Sequence, residues 1–212
     1  PLPILMALYS IIRQPITHFM MLSKDVLQTV VQSVADAGVD LFNRGVDYKQ
    51  VKSILARVNK YSIKVLTIPT ETKADPKTVV DAQFSLPYAI ACGMVKGHEN
   101  IDDYAYEAIR DPEVLALAKK VTWILDEEIE KVYPRYYPCT VEVTMNNGSV
   151  ITSHTEYPKG DPENPVEWDE AVEKFRFMAE HEMGTYKVQK IIDLCSRLEE
   201  LDNLNELVEL LY

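Results

Sequence analysis

Basic charge is what this 212-residue chain is short of: 22 lysines and arginines stand against 33 acidic residues, a formal charge of −11. A surface that acidic repels a phosphate backbone, so no nucleic-acid partner is expected. Cysteine is scarce as well. Cys92, Cys139 and Cys195 are odd in number, far apart and free of CxxC or Cys/His spacing, which argues against a disulfide framework and a structural zinc site. They read as reduced thiols of a cytoplasmic protein. The most apolar run, PLPILMALYSII, is too short to span a bilayer and lacks the basic start and small-residue cleavage site of a signal peptide, so no membrane partner is expected. GxSxG, P-loop and GxGxxG stretches are missing, which weakens serine-hydrolase and nucleotide-binding readings. No two histidines have HxxxH spacing, and neither a metal nor a cofactor is expected.

What is present is an ordinary globular composition, 47% apolar and 26% charged, enough for one good core or two small ones. The chain opens directly on core-like sequence without an initiator Met, which reads as a piece of something larger. SKDVLQTVVQSVADAG places Val26, Leu27, Val30, Val31 and Val34 at helical spacing, with Ser23 or Asp25 as cap and Gly38 as stop. VKSILARVNKYSIKVLTI reads as an edge or half-buried strand. Asp75-Pro76 suits a helix start, and Pro87 divides the segment that follows into a turn or short helix and a buried helix over 87–95. Two short helices follow at 104–109 and 112–120.

The period then changes. VTWIL and TVEVTMNNGSVITSHTEY alternate, and Asn147-Gly148 predicts an antiparallel hairpin between 140–145 and 149–156. The loop EYPKGDPENPVEW reads as a rigid connector shaped by its prolines and Gly160. Three helical stripes close the chain, led by Trp168, Val188 and Leu201. The order of elements predicts an α+β fold: a small antiparallel sheet with packed helices, followed by C-terminal helices. The expected division is an apolar lead-in over 1–22, an α+β domain over 23–165, and closing helices over 166–212.

The stretches DAQFSLPYAIACGMVKGH, RDPEVLALAKKVTW, YPCTVEVTMNNGS and YPKGDPENPVEWDEAVEKF, in that order, resemble the carboxyl-terminal half of the MmgE/PrpD family. That family includes 2-methylcitrate dehydratases, cis-aconitate decarboxylases and iminodisuccinate epimerases. The resemblance implies a longer two-domain protein whose large amino-terminal part is helical. It implies metal-independent chemistry next to a carboxylate of a di- or tricarboxylate, with half of the site on this chain. Such chemistry needs a base, an acid for the leaving group, and cations for the developing charge.

In relatives this half contributes a lysine and a histidine just before a helix that begins like IDAA. Matching that helix start to Asp25 puts Arg13 close to the lysine position, while the histidine position falls on an apolar residue near Phe19 or Met21, with His18 adjacent. Arg13 and His18 are therefore the candidate catalytic residues; Arg13 snorkelling to water and His18 satisfied in a turn are the bland alternatives. Ser85 and Tyr88 are candidate substrate-binding hydroxyls that could equally cap the helix after Pro87. Lys159, the only cation of its loop, is a minor candidate against the more frequent solvated lysine. The expected partners are a small carboxylate substrate and either a second copy, as homodimer, or a helical N-terminal partner. A non-catalytic binding or assembly module is the competing reading.

Overall fold

The computed structural model describes residues 25–211, with side chains from Thr29 onward. Among these the chain forms two compact units, 25–164 and 165–211. The first is built on helix α1 (Asp25–Asn43) and a four-stranded sheet of β1 (Val51–Val58), β2 (Val121–Leu125), β3 (Cys139–Met145) and β4 (Val150–Thr155). The strand order is β2-β1-β3-β4. β1 pairs antiparallel with β3, and β3 with β4, but β1 and β2 run parallel. The sheet is thus mixed rather than purely antiparallel. A parallel pair cannot be closed by a hairpin, and the connection from β1 to β2 is a long helical crossover.

That crossover holds α2 (Lys60–Leu66), α3 (Thr70–Ala74), α4 (Val79–Gln83), α5 (Leu86–Lys96) and α6 (Pro112–Ala118); α7 (Glu127–Val132) follows β2. The expected single strand after Val51 is really a strand and a helix. Asn59 ends β1 and caps α2, its side-chain oxygen accepting from the Ser62 N–H at 2.7 Å. β1 is also interior to the sheet, not an edge. On β3 alternate residues Cys139, Val141, Val143 and Met145 are buried, the half-buried pattern that its sequence predicts. In β1 a register shift between Val51 and Ser53 lets Val51 and Ile54 both reach the core.

α5 is the most enclosed element, with Leu86 through Met94 all buried. It packs on α1, and α1 in turn on β3 and β4. The crossing of α1 and α5 is closed by glycines. A Cβ on Gly38 would lie 2.5 Å from the Ile90 carbonyl oxygen, and one on Gly93 would lie 2.8 Å from that of Ala35. Gly38 therefore does not stop α1, which runs on to Asn43; it lets two backbones touch. Asp75-Pro76 likewise precedes α4 without capping it, since Thr78 forms the capping box with Asp81. Tight three-residue-per-turn segments replace the helix expected over 104–109.

The second unit is a helical hairpin of α8 (Trp168–Met183) and α9 (Thr185–Ser196), followed by the short α10 (Asn205–Glu209). Gly184, at φ +77°, links the first two directly. Phe175, Ala179, Val188, Ile191, Leu194 and Leu207 make its core. No helix among the described residues is long and apolar enough to cross a membrane.

Candidate functional site

Ser85 and Tyr88 come together at the start of α5. Ser85 sits in an extended conformation as N-cap: its hydroxyl accepts from the Tyr88 N–H at 3.0 Å and donates to the Lys73 carbonyl at 2.5 Å. Pro87 follows in the first turn, where its missing N–H has no helical partner to lose. The capping alternative is thus realised for Ser85. The Tyr88 hydroxyl donates to the Asp103 carbonyl at 2.6 Å. Burial pushes its phenol well above the usual range, with the buried Cys92 adding to the shift.

The same corner carries a cation that sequence reasoning missed. Lys73, on α3, is 7% exposed, yet its ammonium makes no ion pair or hydrogen bond among the described residues. Burial lowers its pKa, partly offset by the charge of Asp81. Among the described residues the fully enclosed unpartnered side-chain atoms are Asn59 Nδ2 and the Tyr104 hydroxyl, so the Lys73 ammonium keeps contact with the surface. A lysine with a buried stem and an unneutralised tip is suited to an incoming carboxylate. Nothing in TETKADP marks it out, because its burial is created by packing of α3 on α5.

Lys159 lies elsewhere, in the loop after β4. Its backbone N–H donates to Asp36 Oδ2 at 2.7 Å, and Gln32 Nε2 donates to Asp36 Oδ1 at 2.7 Å. Burial raises the Asp36 pKa against those two hydrogen bonds and the Lys159 charge. Within the loop Asn164 Nδ2 donates to the Tyr157 carbonyl and the Gly160 N–H to the Asn164 carbonyl, both at 2.9 Å. Tyr136 meets the Tyr157 ring edge-on. Asp36 of α1 thus holds the first part of the connector. Asp161 in it is pushed up to about 6, first by burial and then by its hydrogen bond with Glu163.

Arg13 and His18 lie outside the described residues. Of the other histidines, His98 is held by Asp103, with Nδ1 3.0 Å from Oδ2, an arrangement foreshadowed only by their nearness in HENIDD. His154 lies between Thr140 and Glu156. Cys92 and Cys139 are buried, and burial pushes the Cys139 thiol up to about 12. Neither is a thiolate nucleophile at neutral pH. No cluster of three or more metal-ligating side chains occurs among the described residues.

Residues 27–200 match the MmgE/PrpD C-terminal domain. The chain belongs to the MmgE/PrpD family. It is 25% identical over 174 residues to the mitochondrial 2-methylcitrate dehydratase of Yarrowia lipolytica, covering 78% of this chain and 32% of that protein. To a cis-aconitate decarboxylase of Aspergillus terreus it is 29% identical over 138 residues, 64% of this chain and 28% of the relative. To the cis-aconitate decarboxylase of Mus musculus it is 20% identical over 178 residues, 84% of this chain and 36% of the relative. The chain therefore spans about a third of the length of these MmgE/PrpD relatives.

Proposed function

We infer that this MmgE/PrpD chain is the C-terminal portion of a lyase acting on a di- or tricarboxylate, similar to 2-methylcitrate dehydratase, and that it does not turn over substrate alone. The supporting observation is the family match over 27–200 in a chain that covers about a third of its relatives. Relatives are named for 2-methylcitrate and cis-aconitate, both tricarboxylic acids. In a protein of net charge −11, such an anion must be met by cations gathered locally. Arg13, His18 and Lys159 are the candidates from sequence, and Lys73 joins them on its burial. Ser85 and Tyr88 fix the backbone beside Lys73.

The test is an assay of the purified chain for 2-methylcitrate dehydration and cis-aconitate decarboxylation, alone and mixed with the amino-terminal helical part of a relative. Turnover is expected only in the mixture, and lower with Lys73→Met. Turnover by the chain alone overturns the proposal. The second reading, a non-catalytic dimerisation or binding module, draws on the Ser85 and Tyr88 hydroxyls being engaged in holding the fold. It predicts a stable self-associating chain that gives no heat with 2-methylcitrate in calorimetry.

A further inference from the structure

The sheet has two edges, and they are treated differently. At β4 the Arg44 side chain reaches across from the turn after α1 and donates to the outward Thr152 carbonyl at 2.8 Å, while Ser153 Oγ donates to Asp40 Oδ2 at 2.7 Å. That edge is polar and its backbone is partly occupied. β2, VTWIL, has no charged residue, no proline and no strand on its outer side among the described residues. Ile124 and Leu125 are 40% and 44% exposed. An uncharged, open, apolar edge is a template for another strand.

We propose that β2 is the association surface of this chain and that its occupant is β2 of a second copy, paired antiparallel about a two-fold axis at Trp123. Two observations select that occupant. The first is charge: Lys119 and Lys120 precede the strand, and Asp126, Glu127 and Glu128 follow it. Antiparallel pairing centred on Trp123 brings the end of each strand that carries Lys119 to the end of the other that carries Glu127; Lys120 and Asp126 are already engaged, with the Val51 carbonyl and the first N–H groups of α7. A parallel arrangement would put like charges together. Glu127 is exposed and has no partner among the described residues, and Lys119 is more than half exposed beside Asp75.

The second is hydrogen-bond parity. The Ile54 N–H donates to the Lys120 carbonyl and the Asp126 N–H to the Val58 carbonyl, so even-numbered residues of this segment face β1. Val121, Trp123 and Leu125 then turn their backbone groups outward. A two-fold at Trp123 pairs Val121 with Leu125 and Trp123 with its own copy, so every outward group meets an outward group. Such a contact is self-complementary and closes at two copies. It names the surface for the expected homodimer and holds under either reading of function.

Sedimentation equilibrium of the purified chain tests this. A dimer is expected. Lys119→Glu should weaken it about tenfold at low ionic strength, by placing like charges together twice across the axis. Lys119→Glu combined with Glu127→Lys should restore it, because the reversed pair again matches. Oxidation of a Thr122→Cys/Ile124→Cys variant should give a covalent dimer, since these positions face each other as a close antiparallel pair; the unsubstituted chain, with its own three cysteines, is the control. A monomeric chain, a dimer indifferent to Lys119→Glu, a charge reversal that fails to restore, or no disulfide-linked dimer overturns the proposal. Pairing only with an amino-terminal helical part would do the same.

Discussion

Helix α1 has two working faces, and they hold the first unit by different physics. One carries Ala35 and Gly38 and meets α5 with backbones in contact, a packing that rests on the absence of side chains. The other carries Gln32, Asp36 and Asp40, continued at the same four-residue spacing by Arg44 just past its end. That stripe takes the Lys159 N–H, the Ser153 hydroxyl and the Thr152 carbonyl. The apolar face fixes where α5 lies, and with it Ser85, Tyr88 and Lys73. The polar face fixes β4 and its exit loop. The first should tolerate almost no change and the second should lose its contacts piecemeal, because close packing is cooperative while half-exposed hydrogen bonds are individually modest.

The sharpest way to break that contrast is Gly38→Val. Replacing a mid-helix glycine ordinarily favours the helix by up to about 1 kcal/mol. Here the new Cβ meets the Ile90 carbonyl oxygen at 2.5 Å, an atom of backbone that can move only with the whole of α5. The clash should win, costing about 3 kcal/mol in urea unfolding. A neutral or stabilised variant would show that the helices do not pack this closely.

Between the faces lies Ser33, 1% exposed, whose hydroxyl donates to the Tyr137 carbonyl at 2.6 Å and whose own carbonyl accepts from Cys139 Sγ at 3.1 Å. Ser33→Ala leaves the Tyr137 carbonyl without that donor, at an expected cost of about 1–2 kcal/mol. The same denaturation experiment reads it. A loss as large as that of Gly38→Val would erase the ranking of the two kinds of contact.

Legibility in the sequence divides along the same line. The β3–β4 hairpin was readable from Asn147-Gly148 and strict alternation, and α8 and α9 from their stripes, since both signals are local. Gly38 misled because a glycine that ends a helix and one that admits a neighbouring helix look alike without the neighbour. The strand and helix on either side of Asn59 ran together because Ile and Val continue through both. At the candidate site, the caps of Ser85 were written locally. The unpaired state of Lys73 was not, and the target of Asp36 is a backbone N–H 123 residues away, which no side chain advertises.

The smallest expected effect is also the one that separates two causes at a single carboxylate. Asp36 accepts two hydrogen bonds, which favour its ionised form, while burial favours the neutral one, and burial dominates, so its folded pKa lies above 3.8. The folded chain then holds that proton more firmly than the unfolded chain, and stability drawn from this group falls as pH rises from 3.8 through the folded value. Asp36→Asn removes the titration and keeps one acceptor. Losing the other hydrogen bond adds an offset that does not vary with pH. The stability of the parent minus that of Asp36→Asn should therefore decline across that window. Unfolding curves at a series of pH values, taken on both proteins, measure it. A difference that grew with pH would mean that the Lys159 N–H and Gln32 outweigh burial, making the polar face of α1 an electrostatic clamp on the loop instead of a hydrogen-bonded seam.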